Sequence, residues 1–286
     1  MKTATTTLNY NAISEAISEW LKEYANKAGA RGFVMGVSGG IDSAVVSTLC
    51  AKTGLNLLVL EMPIHQGSAE VDRAQNHIKW LKENYPNVES KVIDLTDAYD
   101  IFYEDCSLGG PSFGIQISEE QYDFSMANTR SRLRMMTLYQ HAGMYKMLVA
   151  GTGNKVEDFG IGFYTKYGDG GVDISPIADL MKSEVYALGA ELGVIDSILT
   201  AAPTDGLHAD GRTDEDQIGA TYDELEWAMW YKEEVRIAES EMAYFSVEGG
   251  LTKREQEVIK IYDRFHNSNK HKMDSIPVFE TSKFRN

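Results

Sequence analysis

The sequence predicts an α/β fold in which helices flank a doubly wound parallel sheet. Short stretches of strand length alternate with longer stretches whose apolar residues have helical spacing. Most of the strand-length stretches are almost wholly apolar, as in parallel sheets that are covered on both faces. Glycine-rich turns follow two of them, at residues 36–43 and 151–154. Because ligands of such sheets bind beyond the carboxyl ends of the strands, both turns are candidate site segments.

The first half of the chain supplies three of the predicted strands. Residues 8–28 come first and carry apolar side chains on one helical face, which predicts a helix that covers the sheet or contacts another subunit. Ser68 is the predicted N-cap of a later helix, because acidic residues follow it in the first turn. The further predicted elements are a strand at 33–35, a helix at 44–49, a strand at 55–60, a helix at 68–81 and a strand at 91–95.

The second half continues the alternation and ends in irregular sequence. Residues 202–217 predict a long loop, and a loop of this length in a compact domain is usually functional or mobile. No internal repeat or linker divides the chain, so residues 1–286 are predicted to form a single domain. The other predicted elements are a helix at 122–145, a strand at 147–150, a glycine-rich turn at 167–171, helices at 181–192, 222–234 and 251–265, and an irregular polar segment over the last twenty residues.

Residues 36–43 are the stretch around which the predicted site is organised. They lie between a strand and a helix, so backbone N–H groups and the positive end of the helix dipole face any anion bound there. Ser38 and Ser43 can donate hydrogen bonds to phosphate oxygens, whereas an ionised Asp42 cannot. A carboxylate in this position suggests a divalent cation that bridges it to phosphates. A purely structural turn is the alternative, because short glycine motifs are weak signals.

The composition is that of a globular protein with a large acidic excess. The 286 residues are 43% hydrophobic and 24% charged, with a formal net charge of −16. This charge argues against a general nucleic-acid or membrane-surface binder, and no run approaches the ~20 apolar residues that span a bilayer. Cys50 and Cys106 are the only cysteines in the sequence. Two cysteines imply neither a disulfide framework nor a metal cluster, and they fit a reducing cytoplasm.

Several stretches resemble the ammonia-dependent NAD synthetase family. Residues 38–43 have the SGGxDS form of the wider PP-loop ATP pyrophosphatase superfamily, whose members cleave ATP between the α- and β-phosphates. The resemblance covers nearly the whole chain, and its most specific part is TKYGDGG at residues 165–171. Its other parts are NTRSRLRM at 128–135, GTGNKVE at 151–157, the rest of GFYTKYGDGGVDISP at 162–176, APT at 202–204, GATYDEL at 219–225 and HK at 271–272.

The resemblance implies a reaction in which ATP, deamido-NAD and ammonia give NAD, AMP and pyrophosphate through an adenylated nicotinate. Asp42 and Glu157 would hold Mg²⁺, and together with Lys182 they form the predicted catalytic set. Without the resemblance, Glu157 and Lys182 would be taken for solvated surface residues. The implied ATP-binding residues are Gly36, Val37, Ser38, Gly39, Gly40, Ile41, Asp42, Ser43, Thr152, Lys182 and Thr204.

The resemblance also implies a site for deamido-NAD. Arg132 belongs to a run with Arg130 and Arg134, and residues two apart do not share a helix face, so only part of this run can address one ligand. Asp173 could instead cap the turn at residues 174–176, since aspartate favours turns on its own account. The implied deamido-NAD-binding residues are Arg132, Lys166, Asp173, His271 and Lys272.

Two parts of the sequence depart from the family pattern. Many relatives carry an acidic residue two places after the threonine that corresponds to Thr204, where this chain has Gly206 with Asp205 beside it. Which acid acts in this loop, if either does, is therefore left open. Residues 62–75 match only loosely, and Arg73 and Gln75 are no more than candidates for nucleotide contacts there.

The resemblance also bears on the nitrogen source and the assembly. About 32 residues precede the first predicted strand, too few for the amidase domain of glutamine-using relatives. Free ammonia is therefore the expected substrate, unless a separate amidase delivers it. Family members are homodimers with the dinucleotide near the subunit interface, and a homodimer is expected here.

Two other functions are kept as alternatives. One is another PP-loop adenylating ligase, such as a GMP-synthetase-like enzyme or a tRNA thiolase, although neither catalytic cysteines nor a basic RNA-binding surface is visible. The other is a non-catalytic adenine-nucleotide-binding regulator on the same fold. Asp42, Glu157 and Lys182 argue against a regulator, since a sensor would not need a magnesium pair.

Overall fold

The sheet of the computed structural model consists of four parallel strands within the described residues, which are 8–107, 113–203, 213–240 and 250–285. The spatial order β3-β2-β1-β4 places β1 in the interior of the sheet, between β2 and β4. The predicted parallel α/β sheet is confirmed. The strands are β1 (Gly32–Gly36), β2 (Asn56–Glu61), β3 (Val88–Val92) and β4 (Leu148–Val149).

Helices cover both faces of this sheet. Alternate residues of each inner strand point to opposite sides, so Phe33 and Met35 of β1 join one buried cluster and Val34 joins another. Within the described ranges the helices are α1 (Tyr10–Ala28), α2 (Ile41–Lys52), α3 (Ser68–Asn84), α4 (Thr96–Ser107), α5 (Glu119–Tyr145), α6 (Lys182–Glu191), α7 (Asp196–Leu199), α8 (Asp214–Ile218), α9 (Tyr222–Ser240) and α10 (Lys253–Met273), with a π-helix at Val156–Ile161 and a 3₁₀ turn at Ser282–Phe284.

A separate apolar cluster packs the C-terminal helices against the π-helix. Val156 of the π-helix, Leu225 of α9 and Val258 of α10 are all fully buried in it. Side chains of α10 also donate hydrogen bonds to the carbonyl oxygens at the end of the π-helix, as Asn269 does to Ile161 (2.9 Å). The segment that carries Glu157 is therefore clamped from two sides.

Several predicted boundaries were wrong. β3 begins at Val88 rather than at residue 91, because its register with β2 starts there, and Val92 is exposed at the sheet edge. Gly67, not Ser68, caps α3. The last four residues of the predicted loop at 202–217 belong to α8, whose N-cap Thr213 accepts a hydrogen bond from the Asp216 N–H.

Several helical segments were missed or cut short in the prediction from sequence, among them α7 and the π-helix at Val156–Ile161. No bounds were predicted for α4, in which Tyr99 packs on Ile64 and Met126. α10 continues through Met273 into the segment predicted to be irregular, and its last turns carry mostly polar side chains that are half-buried or exposed. Among the described helices, none has an apolar stretch that would reach across a lipid bilayer.

Candidate active site

A cavity of about 570 Å³ opens at the carboxyl ends of β1, β2 and β4. Both predicted turns line it, through residues 38–43 and through Thr152, and Met62, Pro63 and Glu157 line it as well. The connection from each strand to its following helix supplies one wall. The site is therefore built by the topology of the sheet.

The loop at residues 36–43 presents the start of α2 to this cavity. The N-cap of α2 is Gly40, with extended backbone and no side-chain cap, so no side chain of the cap competes for the first N–H groups of the helix. Ser43 donates to the Gly40 carbonyl (3.0 Å) and accepts from the Ser38 N–H (3.3 Å). The two serines thus fix the turn while lining the cavity.

Lys182 joins the two predicted metal-binding carboxylates. Its Nζ lies 2.5 Å from Asp42 Oδ2 and 3.0 Å from Glu157 Oε1, and the residue is only 3% exposed. Burial by itself lowers the pKa of Lys182, but the charges of Asp42 and Glu157 outweigh it, so the pKa is raised. The buried ammonium therefore stays protonated. Asn154 donates from Nδ2 to the other oxygen of Asp42 (3.1 Å).

Tyr222 and Asp214 complete this network, and the sequence reading missed both roles. The Tyr222 hydroxyl donates to Glu157 Oε1 (2.6 Å) and lies 3.3 Å from Asp214 Oδ2. The Lys182 Nζ lies 4.8 Å from the centre of the Tyr222 ring, a cation–π contact. Burial, then the charges of Glu157 and Asp214, raise the pKa of Tyr222. The only available signal was that Tyr222 falls within the GATYDEL stretch.

Asp158 is a further acid of the cavity that the sequence reading did not select. Burial, followed by the charge of the adjacent Glu157, raises its pKa to about 8. Its carboxyl group lies against the backbone of Gly153, where an added Cβ would come within 2.1 Å of Oδ1. The Asp158 carboxyl is therefore mostly protonated near neutral pH, and it lies close to the 151–154 turn.

The donor set at Asp42 and Glu157 fits a magnesium ion that is shared with a substrate. Both carboxylates reach one cation, the Lys182 ammonium, so they can approach a common point. Mg²⁺ is typically held by one or two carboxylates plus phosphate oxygens and waters. In the described part of the chain no three His, Cys, Asp or Glu side chains are grouped for a metal.

The residues predicted to bind deamido-NAD are divided among three regions. Lys272 lines the cavity and donates to the carbonyl oxygens of Gly162 (2.5 Å) and Tyr164 (2.7 Å). Arg132, Lys166 and His271 do not line it. Lys166 donates from Nζ to the His271 carbonyl (2.7 Å), and Arg132 donates to the Lys166 carbonyl (3.4 Å), so these three form one connected group.

Asp173 lies in a different groove. It accepts hydrogen bonds from the Tyr139 hydroxyl (3.0 Å) and the Val149 N–H (2.8 Å), and it lines a smaller pocket between α1 and α5. The Asp173 carboxylate therefore binds Tyr139 of α5 and Val149 of β4, and it does not cap the turn at 174–176.

In the arginine run, the side chain that faces the main cavity is that of Arg134. Arg134 donates to the carbonyl oxygens of Met62 (3.1 Å) and the Gln66 side chain (2.8 Å). The Arg130 guanidinium lies over the Tyr99 ring at 4.8 Å. The three arginines thus point to three different neighbours, as their spacing required.

The structure describes only some of the remaining residues that were predicted to contact the nucleotide. Thr152 lines the cavity, whereas Thr204, Asp205 and Gly206 lie outside the described residues. Arg73 also lines the cavity and donates from Nε to the Gly39 carbonyl (3.2 Å). Gln75 instead donates from Nε2 to Glu61 Oε1 (3.4 Å).

Comparison with known proteins points to one family. The sequence model for NAD synthase matches residues 13–275. A curated relative, the NH(3)-dependent NAD(+) synthetase of Carboxydothermus hydrogenoformans, is 36% identical over 220 residues, which cover 77% of this chain and 85% of that protein.

Solved structures give the same picture for the fold. NMN synthetase from Francisella tularensis superposes with a TM-score of 0.76 at 31% identity, over 96% of this chain and all of that one. The NH3-dependent NAD synthetase from Campylobacter jejuni superposes with a TM-score of 0.70 at 25% identity, with the same coverage.

Proposed function

The chain belongs to the NAD synthase family, and we propose that the cavity around Asp42, Glu157 and Lys182 is its active site. The reaction is the ATP-dependent amidation of deamido-NAD with ammonia, which is the last step of NAD biosynthesis. One observation carries the assignment to this cavity: Lys182 binds Asp42 and Glu157 directly beside the glycine turn that opens α2.

The first step needs a site for a leaving pyrophosphate. The nicotinate carboxylate attacks the α-phosphorus of ATP, and the bond to the β-phosphate oxygen breaks. Residues 36–43 would receive the departing pyrophosphate with the first N–H groups of α2 and its positive dipole end. Thr152 at the second turn, with Thr204, is proposed to contact ATP.

Asp42 and Glu157 would hold a magnesium ion together with the phosphates. Such an ion supplies charge stabilisation to the transferring phosphoryl group. Lys182 holds the two carboxylates close together, and Tyr222 donates a hydrogen bond to Glu157. The protein thereby orients the donors before the substrates arrive.

In the second step ammonia attacks the activated carbonyl carbon, loses a proton, and AMP leaves. We propose that free ammonia is the nitrogen source, as the names of the curated relatives indicate for those proteins. Residues 1–286 are proposed to act as a single synthetase domain. A cytoplasmic location is part of the proposal, because an exposed thiol such as Cys106 is best preserved in a reducing compartment.

A homodimer is proposed to complete the deamido-NAD site. Arg132, Lys166 and His271 form a connected group outside the cavity, so one chain does not bring all the predicted contacts to one ligand. Trp20 and Tyr24 of α1, each more than 40% exposed, offer apolar surface to a second copy. Light scattering should give twice the mass of one chain. A monomer that retained full activity would contradict the proposal of a homodimer.

A second candidate is amidation of the mononucleotide rather than the dinucleotide. The solved NMN synthetase from Francisella tularensis is 31% identical to this chain, against 25% for the Campylobacter jejuni enzyme, at equal coverage. Nicotinate mononucleotide carries the same reacting carboxylate and lacks only the adenylate half. Whether the AMP half is recognised thus separates the two candidates.

The decisive experiment supplies purified protein with ATP, Mg²⁺ and ammonium, and compares deamido-NAD with nicotinate mononucleotide. We expect NAD, AMP and pyrophosphate in equal amounts, with the dinucleotide giving the higher kcat/KM. A higher kcat/KM for the mononucleotide would favour the second candidate. Formation of neither amide would contradict both. Replacing ammonium by glutamine tests the nitrogen source, and equal turnover would contradict the use of free ammonia.

A further inference from the structure

We propose that Arg73 of α3 binds the terminal phosphates of ATP and the departing pyrophosphate. The inference rests on the proposed function and adds to it a phosphate-binding residue from outside the glycine loop. It follows from how α3 is fixed to the loop, from the contacts of the Arg73 guanidinium, and from the other cations of the cavity.

The first turns of α3 are pressed against the loop at Gly39. Gly39 has φ +83°, and an added Cβ would lie 2.6 Å from the Glu70 carbonyl oxygen and 3.0 Å from the Ala74 nitrogen. Only glycine permits this approach. Arg73 lies between these two residues on α3, so its position relative to the loop is set by backbone packing.

The Arg73 guanidinium is fixed through its Nε, and its two Nη nitrogens are available to a ligand. Its Nε donates to the Gly39 carbonyl (3.2 Å), which is part of the loop itself. Within the described residues the two Nη nitrogens have no hydrogen-bond partner, and the side chain lines the cavity. A guanidinium held in this way offers a planar pair of donors to phosphate oxygens at little entropic cost.

The other described cations of the cavity are already engaged. Lys182 is bound by Asp42 and Glu157, and Lys272 donates to two backbone carbonyls. Arg134 is held by Met62 and Gln66. Arg73 is thus the described cation that touches the glycine loop and keeps its Nη donors for a ligand.

The chemistry calls for such a group. Departure of pyrophosphate gathers negative charge on oxygens next to Asp42 and Glu157, in a protein whose net charge is −16. The loop supplies only N–H dipoles and hydroxyls, and a magnesium ion there would be partly neutralised by its two carboxylates. The full positive charge of Arg73, which contacts the loop at Gly39, would offset the negative charge that develops on the leaving pyrophosphate.

The test compares ligand affinities of Arg73→Ala with those of wild type by calorimetry. Pyrophosphate and ATP binding in the presence of Mg²⁺ should weaken about 10- to 100-fold, which is the usual range for a charge-assisted hydrogen-bond pair. AMP affinity should stay within twofold, because AMP lacks the terminal phosphates. Arg73→Lys, which keeps the charge but loses the planar fork, should fall between the two.

Lys79→Ala is the matched control. Lys79 lies further along α3, its side chain is 75% exposed, and its removal changes the net charge equally. It should bind pyrophosphate as wild type does. If Arg73→Ala bound pyrophosphate with unchanged affinity, or lost AMP affinity to the same extent, the phosphate role would be overturned.

The outcomes also separate this inference from the proposed function. If Arg73→Ala weakened pyrophosphate binding but the wild-type protein formed no NAD, the proposed function would be contradicted and the phosphate role of Arg73 would stand. If the wild-type protein formed NAD but Arg73→Ala bound pyrophosphate with unchanged affinity, the phosphate role would be contradicted and the proposed function would stand.

Discussion

Lys182 and Asp42 are 140 positions apart in the sequence, yet the Lys182 Nζ lies 2.5 Å from Asp42 Oδ2. The contact joins the start of α6 to the start of α2, and Glu157 of the π-helix shares the same ammonium. A buried lysine between two acids costs desolvation energy, which the pair of carboxylates offsets. The protein thus holds its two candidate metal donors together with an internal cation.

Replacing Lys182 by methionine should therefore damage both stability and activity. Two largely buried carboxylates would lose their shared cation, and we expect the free energy of unfolding to fall by about 3 kcal/mol or more. NAD formation should fall at least ~100-fold. Urea unfolding and a steady-state assay measure these effects. Lys232→Met removes a half-exposed ion pair to Asp263 and should cost less than about 1 kcal/mol with normal activity.

Replacing Tyr222 by phenylalanine tests whether the hydroxyl orients Glu157. The variant loses the 2.6 Å hydrogen bond but keeps the ring over Lys182. Residues that orient metal-binding carboxylates typically affect metal affinity or activity 10- to 100-fold. We expect the Mg²⁺ concentration for half-maximal activity to rise about tenfold. Direct Mn²⁺ binding, followed by electron paramagnetic resonance, should weaken in parallel.

Tyr262→Phe is the matched control for that variant, because Tyr262 belongs to the same buried cluster, whereas the hydroxyl that donates to Glu157 is that of Tyr222. Its Mg²⁺ dependence should remain that of wild type. Equal Mg²⁺ dependence of Tyr222→Phe and wild type would show that the hydroxyl does not orient Glu157.

The sheet and the centre of the site were largely predictable from sequence. Buried parallel strands are nearly uniformly apolar, so β1 and β2 stand out, and the carboxyl ends of such strands define where ligands bind. β3 was misplaced because it carries Glu89, Ser90 and Lys91 at the sheet edge, where burial imposes little pattern.

The contacts that set side-chain direction were less predictable. The spacing of Arg130, Arg132 and Arg134 required different faces, but the rotation of α5 about its axis decides that Arg134 reaches the cavity. Tyr222 reaches Glu157 across 65 positions of sequence. Such a contact depends on how α9 packs on the π-helix, which no local pattern encodes.

Acid should destabilise the protein through His77, which is fully buried between α2 and α3. The Ser47 hydroxyl donates to the Ala44 carbonyl (3.0 Å), His77 Nε2 lies 2.9 Å from that hydroxyl oxygen, and the buried Nδ1 has no hydrogen-bond partner among the described residues. Burial lowers the pKa of His77 to about 4, below the unfolded value of 6.5. Its contribution to stability is therefore complete above pH 6.5 and is lost as pH falls towards 4.

Between pH 7 and pH 5, we expect this histidine to remove about 2 kcal/mol from the free energy of unfolding. His77→Gln should show a correspondingly shallower pH dependence in urea titrations at the two pH values. His141→Gln, the same change at a partly exposed helix position, should keep the wild-type dependence. An identical pH dependence of His77→Gln and wild type would mean that His77 is not the group responsible.

Gly39 should be intolerant of alanine for two separable reasons. Its φ of +83° costs a side chain about 1–2 kcal/mol, and the added Cβ would lie 2.6 Å from the Glu70 carbonyl oxygen. Gly54 also has positive φ (+72°) but nothing within 4 Å of an added Cβ. Gly54→Ala should therefore show the strain alone, about 1 kcal/mol with normal turnover. Gly39→Ala must also push α3 away from the loop, so its KM for ATP should rise about tenfold or more. Equal KM values for the two variants would show that the contact between α3 and the loop does not shape the ATP site.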